Sequence, residues 1–280
     1  MTAHVAVVVL TLNEERNLPH ALSSADWADS LWVVDSGSTD RTREVAESFG
    51  ANWLFFEFQD YSSQRNKALA ALPENVDWVY FLDADEAVPK ILADEIRSTI
   101  DSDPPHAGYY LSWRLIWMGA WVRRGYYPTY VLRLFRRSAG DCDNRGVNEH
   151  FRVTGTTGFL TNDFIHEDHN GISRWISKHN RYATLEAEAF LRRRSTDLRL
   201  SWSTSQAERT AWLREKIWNR LPLLVRPFLY FTYRVVVRGG ILDGWRALIY
   251  HFLQAFWFFV LIDLNILEMR SSKEVPSVTR

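Results

Sequence analysis

The chain has 280 residues, of which 46% are apolar, so it is long enough for one large α/β domain with a core and an appendage. The net charge of −1 excludes a simple nucleic-acid binder, which needs a basic surface for the phosphate backbone. The charge is uneven, because residues 1–170 hold 15 Lys and Arg against 25 Asp and Glu, whereas residues 171–280 hold 18 against 9.

The first hundred residues alternate short apolar strands with helices, which is typical of βαβ units around a parallel sheet. The predicted strands are Val5–Leu12, Ser30–Asp35, Asn52–Phe56 and Trp78–Leu82. The predicted helices are Asn17–Ser24, Arg41–Phe49 (capped by Ser38 or Thr39), Ser62–Ala71 and Val88–Ser98. The predicted fold class is therefore α/β, with a mostly parallel sheet flanked by helices.

The pattern changes after residue 104. Further strands are expected at Gly108–Ile116, at Val131–Phe135 and over the strand-like stretch Gly158–Ile165. Residues 171–194 predict an amphipathic helix, and the Ser- and Thr-rich residues 195–208 predict a linker. We therefore expect a catalytic domain over residues 1–195 and a basic, aromatic helical region over residues 196–280.

Polar side chains follow three of the predicted strands, at the point where each strand ends. They are Asn13, Glu14 and Glu15 after the first strand, Asp35 and Ser38 after the second, and Asp83 and Asp85 after the fourth. Ligands of parallel α/β sheets bind at this edge. Two carboxylates delivered by an apolar strand suit Mg²⁺ or Mn²⁺, which takes one or two carboxylates together with substrate phosphates.

Four motifs in this order resemble the family 2 glycosyltransferases, which have the GT-A fold. They are TLNEERNL (11–18), VVDSGSTDRT (33–42), QRNKAL (64–69) and FLDADE (81–86). The resemblance extends to bacterial lipopolysaccharide-core glucosyltransferases through LRLFRR (132–137), VNEHF (147–151) and IHED (165–168). It implies a metal-dependent, inverting transfer of a hexose from a UDP-sugar to a cell-envelope glycolipid.

The resemblance also implies a role for single residues. Glu15 and Asp35 would lie around the uracil and ribose, Asp83 would face the ribose or sugar, and Asp85 would bind the metal. Arg65 and Asn66 would approach the donor, and a guanidinium at position 65 also suits phosphate. An exposed helix charge is the plain alternative for Arg65.

Two further residues complete the expected site. Glu149 is the candidate general base that takes the proton of the acceptor hydroxyl; its alternative is a salt-bridged loop carboxylate. His166 follows the predicted strand that ends at Ile165, and the resemblance makes it a candidate metal ligand, although a single histidine is often structural. Arginines at 123, 124, 133, 136 and 137 are candidates for a diphosphate or an anionic acceptor, or else form a solvated basic face.

The C-terminal region predicts a membrane partner. Residues 247–262 are uncharged but fall short of the roughly 20 apolar residues that span a bilayer, and the preceding residues interleave arginines with aromatics. We expect residues 209–270 to lie on an anionic membrane surface; a helical lid or a dimer contact is the alternative. The single cysteine, Cys142, and an N-terminus unlike a signal peptide predict the cytoplasmic side of that membrane.

Two other functions fit parts of this pattern. A nucleotidyltransferase acting on a sugar phosphate also uses acidic metal ligands, but it usually has a glycine-rich loop after the first strand, where this chain has Asn13–Asn17. A non-catalytic, membrane-associated binding protein is the other alternative, against which the retained Asp83, Asp85 and Glu149 argue.

Overall fold

The structure, a computed structural model, describes residues 3–142, 151–192 and 218–274. The chain forms two compact units, residues 1–172 and residues 173–280. The expected linker at 195–208, and with it the expected domain boundary, lies outside the described residues.

The first unit begins with four parallel strands in the order β3-β2-β1-β4. The strands are β1 (Val5–Thr11), β2 (Ser30–Asp35), β3 (Asn52–Phe55) and β4 (Trp78–Asp83). The intervening helices are α1 (Leu18–Ser23), α2 (Thr42–Ser48) and α3 (Tyr61–Ala71), and α4 (Lys90–Asp101) follows. The run Val5–Val9 is apolar throughout because both faces of the sheet are covered, and each of its side chains is fully buried.

The sheet continues beyond β4 with both strand directions. β8 (Tyr130–Arg136) lies antiparallel between β4 and β6 (Gly108–Trp117), and β12 (Phe164–His166) and β5 (Glu86–Ala87) follow in the order β6-β12-β5. The remaining short strands are β7 (Ala120–Trp121), β9 (Gly140–Cys142), β10 (Phe151–Val153) and β11 (Thr157–Phe159). The β7 and β11 strands pair with β6, and β9 pairs with β10.

The structure differs from the sequence-based expectations at two places. The stretch 158–165 forms the two short strands β11 and β12, separated at Leu160–Asp163, rather than one strand. Neither Ser38 nor Thr39 caps α2. Instead the carboxylate of Asp40 accepts the backbone N–H of Thr42 at 3.0 Å, because it lies two residues before that amide.

The second unit is helical, as expected. It holds most of α5 (Ile172–Arg192), then α6 (Arg226–Thr232), α7 (Trp245–His251) and α8 (Phe258–Glu274), with π-helical turns at Tyr233–Val237 and Phe252–Trp257. Its core packs α5 against α8 through Ala183, Ala187, Ile262 and Ile266. Small side chains on α5 let the two helices approach closely.

Candidate active site

The loops after β1 and β2 are bonded to each other. Asn13 adopts a left-handed backbone conformation (φ 57°), which asparagine tolerates better than most residues. Its N–H donates to the hydroxyl of Ser38 at 2.7 Å, and its side-chain oxygen accepts the N–H of Thr39 at 2.7 Å. The two loops are therefore joined to each other at the carboxyl ends of neighbouring parallel strands.

Asp35 braces this edge from within. Its carboxylate is buried and accepts the hydroxyl of Thr11 at 2.9 Å and the N–H groups of Gly37 and Ser38, each at 2.7 Å. The Ser38 hydroxyl also donates to it. Since a carboxylate offers about four acceptor positions, the predicted contact of Asp35 with a nucleotide base requires one of these bonds to be released.

Glu15 lies at the outer side of the same edge, with 30% of its side chain exposed. Its carboxylate accepts the N–H of Arg41 at 3.1 Å and the Nε–H of Arg41 at 3.3 Å. The N–H of Glu15 donates in turn to Asp40 at 3.2 Å. Glu15 thus sits with the predicted donor-site residues Asn13, Asp35 and Ser38 on one pair of loops.

A second network ties the β1 loop to the segment after β12. Glu14 accepts hydrogen bonds from the side-chain amides of Asn17 and Asn170, each at 2.8 Å. Buried Asn17 also donates to Asp168 at 3.0 Å and accepts the N–H of His169 at 2.7 Å. This network fixes the position of the segment that begins at His166, next to the β1 and β2 loops.

The acidic end of β4 is organised by a buried arginine on β8. Arg133 Nη2 donates to Asp83 Oδ2 and to Glu86 Oε1, both at 2.6 Å. Glu86 is almost completely buried, and its second oxygen accepts the N–H of Asp83 at 2.9 Å. One guanidinium therefore bonds to both carboxyl groups, and Glu86 fixes the backbone turn that follows the strand.

These contacts shift the pKa values of Asp83 and Glu86 in opposite directions. Burial raises the pKa of Asp83, but the charges of Arg133 and Arg65 outweigh it and hold that pKa well below its ordinary value. Burial, together with the charges of Asp83 and Asp85, raises the pKa of Glu86 well above its ordinary value despite Arg133. Asp83 is therefore the ionised partner of Arg133, and Glu86 is the carboxyl that holds a proton more readily.

Asp85 faces a histidine. Its Oδ1 lies 3.7 Å from Nδ1 of His166, and the side chains expose 12% and 30% of their surface, respectively. His166 is held by the pairing of β12 with β5, where it stands opposite Glu86, and by an edge contact with Trp113 at 5.3 Å between ring centroids. The structure thus brings the two predicted metal ligands together.

The described residues contain no group of three or more His, Cys, Asp or Glu side chains that would hold a metal ion by themselves. Asp85 and His166 are a pair. Mg²⁺ and Mn²⁺ sites of nucleotide enzymes are commonly completed by substrate phosphates and water. The donor set fits a cation that arrives with a diphosphate and does not fit a closed structural metal site.

The two predicted donor contacts on α3 lie in different settings. Arg65 packs over the rings of Tyr61 and Phe151, with its Cζ 5.8 and 5.5 Å from the centroids, and its charge acts on Asp83. The amide of Asn66 donates to the carbonyl of Cys142 at 2.8 Å and accepts the Cys142 N–H at 2.9 Å. Asn66 therefore joins α3 to β9, whereas Arg65 belongs to the charged end of β4.

Glu149, the predicted general base, lies outside the described residues. Its segment leaves the described chain at Cys142 on β9 and rejoins it at Phe151 on β10, two strands that pair with each other. Phe151 packs on Phe81 of β4 at 4.5 Å between ring centroids. Both ends of the segment are thus anchored beside the strand that carries Asp83.

Sequence reasoning left Glu86 and Asn17 unassigned and gave Arg133 only as a candidate for an anionic ligand. Arg133 lies within the apolar run 131–135, whose members occupy both faces of the strand. A charged residue in such a run signals a buried, paired charge. Nothing local identifies Asn17, since its partners Asp168 and His169 lie about 150 positions away.

A parallel α/β unit with bonded loops and acidic side chains at its carboxyl edge is typical of proteins that bind a ligand at that edge. Comparison with known proteins identifies the class. Residues 6–141 match the model of the family described as "Glycosyl transferase family 2". The chain is therefore a glycosyltransferase whose family 2 domain covers these residues, and its fold is GT-A. This confirms the resemblance to the family 2 glycosyltransferases.

Curated relatives are similar over different lengths. "Lipopolysaccharide core biosynthesis glycosyltransferase LpsC" of Rhizobium meliloti is 28% identical over 196 residues, which are 66% of this chain and 70% of LpsC. An uncharacterized glycosyltransferase of Rickettsia bellii is 37% identical over 98 residues, but only 35% of this chain and 33% of that protein are covered.

Solved structures give fold-level likenesses only. Glucosyl-3-phosphoglycerate synthase of Mycobacterium tuberculosis, solved with Mn²⁺, UDP and glucosyl-3-phosphoglycerate, has a TM-score of 0.35 and 25% identity over 40% of this chain and 44% of that one. The S. aureus TarS fragment 1–349 has a TM-score of 0.41 and 13% identity over 96% of this chain and 92% of that one.

Proposed function

We propose that this glycosyltransferase moves a hexose from a UDP-sugar to a cell-envelope glycolipid with inversion, using a divalent cation. The observation that carries the proposal is the end of β4, where Arg133 neutralises Asp83 while Asp85 faces His166 at 3.7 Å. The two aspartates of one motif therefore have different surroundings, and Asp85 lies beside His166, a side chain that can also bind a metal.

Asp85 and His166 would hold the cation, together with oxygens of the donor diphosphate. Two ligands about 2.1 Å from a cation and at right angles to each other lie about 3 Å apart, close to the separation of this pair. When bound, the cation supplies positive charge to the leaving nucleoside diphosphate. Arg65 adds a second positive charge near Asp83, and a guanidinium is suited to phosphate oxygens.

The bonded loops after β1 and β2 would receive the nucleoside. Asn13, Glu15 and Ser38 present side chains and backbone there, and Asp83 faces the ribose or sugar from β4. Because the loops are already held by Asp35, little ordering entropy is lost when the nucleoside binds. Release of the Ser38 hydroxyl would free one oxygen of Asp35 for the uracil.

Glu149 would act as the general base. Inversion requires a carboxylate that takes the proton of the acceptor hydroxyl as the oxygen attacks the anomeric carbon and the nucleoside diphosphate leaves. The strands β9 and β10 anchor both ends of its segment beside β4. The Asn66 amide clamps Cys142 and therefore acts, in this proposal, as a positioning residue for the segment.

The cell-envelope acceptor is supported by the similarity to LpsC, whose name refers to lipopolysaccharide core biosynthesis. The second unit supports a membrane location for such an acceptor. Large apolar side chains are exposed on α6, on the two helical turns that follow it and at the start of α7: Phe228 (59%), Val236 (65%), Val237 (70%), Leu242 (71%) and Trp245 (61%). Exposed arginines at 238 and 246 flank the turn that precedes α7. Apolar insertion combined with basic side chains is the signature of binding to an anionic membrane surface.

One continuous helix, Trp245–Ser271, is by length and composition long and apolar enough to cross a bilayer. This helix is longer than the uncharged run 247–262, so its length does not exclude that it crosses the membrane. Its Asp263 is fully buried in an ion pair with Arg226, whose guanidinium also lies over Phe190. The helix is thus fixed to its own unit, and we propose that the unit lies on the cytoplasmic surface of the membrane.

Donor binding tests the catalytic proposal. UDP, GDP and dTDP are compared by thermal shift of the full chain with and without Mn²⁺, because a ligand that binds only the folded state raises the melting temperature. We expect stabilisation by UDP with Mn²⁺, and its loss in Asp85→Ala. Mn²⁺-dependent UDP binding by Asp85→Ala at wild-type strength would refute the metal assignment.

Flotation with liposomes tests the membrane proposal. Binding should rise with anionic lipid and fall with salt, because each nearby Lys or Arg contributes about 1 kcal/mol. Leu242→Glu and Trp245→Glu should each weaken it, whereas Ile91→Glu, an exposed apolar position on α4, is the matched control. Equal flotation of the three variants and the wild type would contradict the proposal.

A further inference from the structure

We infer that one face of β6 forms an acceptor subsite for a saccharide that carries a phosphate or carboxylate group. The inference rests on the proposed transfer function and specifies the chemical class of its acceptor. Its basis is a row of half-buried and exposed aromatic and basic side chains that runs along the strand towards the carboxyl edge of the sheet.

The row follows from the strand geometry. Side chains two residues apart on a strand share a face, so Tyr110, Ser112 and Arg114 of β6 lie on the same side. Tyr130 of β8 stands directly opposite Ser112, and Trp121 of β7 stands opposite Ile116. Directly opposed residues of antiparallel strands also share a face. Three strands therefore contribute to one row.

The basic end of the row is built around an indole. The guanidinium carbons of Arg114 and Arg123 lie 5.0 and 5.2 Å from the Trp121 ring centroid. Asp163, which is buried, accepts Arg114 Nε–H at 2.8 Å, and the Tyr127 hydroxyl also reaches it at 3.3 Å. Arg114 is therefore held in one orientation, with 47% of its side chain exposed.

The composition of this end favours an anion. Two guanidiniums on one indole repel each other, and the carboxylate of Asp163 contacts Arg114 through one nitrogen, on the inner side. The buried Trp121 Nε1–H donates to no acceptor among the described residues. A phosphate or carboxylate between the two arginines would offset their repulsion and accept several charge-assisted hydrogen bonds. This end is basic within a part of the chain that holds 25 Asp and Glu against 15 Lys and Arg.

The other end of the row is suited to a sugar ring. Phe159 is 65% exposed and Tyr130 is 39% exposed, and their rings are in edge contact at 5.2 Å between centroids. Tyr110 stacks on Phe159 at 5.5 Å. Aromatic faces that stay in water offer the apolar side of a sugar a surface on which to pack.

The row lies on the side of the sheet where the transfer is proposed to occur. Tyr110 packs against the same core cluster as Phe151, which follows directly after the segment that bears Glu149. The helix α3, which carries Arg65, covers that cluster as well. On β12, Ile165 pairs with Arg114, whereas the next residue, His166, contacts Trp113 and so lies on the opposite face of the strand. An acceptor bound along the row would therefore extend towards the carboxyl edge of the sheet and the segment that bears the proposed base.

The test measures binding of simple probes to the full chain by isothermal titration calorimetry. Glucose 6-phosphate and glucuronate should bind at least about tenfold more tightly than glucose, as expected for hydrogen bonds to a charged group. Arg123→Gln should weaken glucose 6-phosphate by about tenfold, and Phe159→Ala should weaken it without changing the affinity for inorganic phosphate. Arg43→Gln is the matched control, because it also removes an exposed arginine beside an indole ring. Arg43 lies on α2, away from the row, with its Cζ 5.8 Å from the Trp53 ring centroid.

Three results would overturn the inference. They are equal binding of glucose and glucose 6-phosphate, wild-type affinity in Arg123→Gln, and an equal loss in Arg43→Gln. If inorganic phosphate bound as tightly as glucose 6-phosphate, the site would recognise the anion alone, and the claim that it binds a saccharide would be wrong. Binding of UDP with Mn²⁺ is measured on the same wild-type samples, so a failure of the proposed donor is seen separately from a failure of the subsite.

Discussion

Replacement of Arg133 by methionine removes one guanidinium and leaves two carboxylates at the end of β4. Arg133 and Glu86 expose only 11% and 4% of their side chains, so their ion pair is buried, whereas Asp83 exposes 38% and is partly screened by water. Loss of one partner from a buried pair costs about 3–5 kcal/mol, because the remaining charge stays desolvated. We expect Arg133→Met to destabilise the first unit by about that amount.

The loss of stability in Arg133→Met should increase with pH. In the folded protein the pKa of Glu86 is raised by burial, so at pH values below that raised pKa the folded state keeps this group protonated and tolerates the missing cation. As pH rises, the folded variant must either ionise a buried Glu86 without a partner or hold its proton at a growing cost. The difference from wild type should therefore be smaller near pH 5 than near pH 8. Adding Glu86→Gln to Arg133→Met should recover most of the stability and reduce the pH dependence.

Native-state hydrogen exchange of the β4 and β8 amides is the suitable assay, because it reports opening of this sheet apart from the second unit. Arg136→Met is the control on the same strand. Arg136 pairs with Asp103, which is 95% exposed, so about 0–1 kcal/mol is expected there. A loss below about 1 kcal/mol in Arg133→Met, equal at both pH values, would refute the electrostatic reasoning.

Three further changes have defined outcomes. Glu149→Gln should lower sugar transfer by about 10²–10⁴-fold while UDP binding persists, and near-normal turnover would remove Glu149 as the base. Asp263→Asn should destabilise the second unit by about 3–5 kcal/mol in urea titration, because Arg226 stays buried without its counter-charge; an unchanged midpoint would contradict this. Gly140→Ala should cost about 1–3 kcal/mol, since a Cβ there would lie 2.1 Å from the Phe135 ring, and native-like exchange of β8 would show that the ring can move.

The sequence by itself determined the α/β class, the four parallel strands and the acidic carboxyl edge. The physical reason is that apolar strands buried on both faces read as continuous runs, and polar residues directly after such runs fall at one edge of the sheet. The pairing of Asp85 with His166 was expected from the family resemblance, and the structure places the two side chains 3.7 Å apart.

Only the tertiary structure decided which charges face each other. Arg133 reaches Asp83 and Glu86 because β8 runs antiparallel beside β4, and this pairing joins residues about 50 positions apart. The row on β6 likewise needs β7, β8 and β11 to bring Trp121, Tyr130 and Phe159 to one face. Local periodicity specifies the face of a residue within its own strand, but the neighbour across the sheet depends on strand order and register, which arise from long-range packing of the whole core.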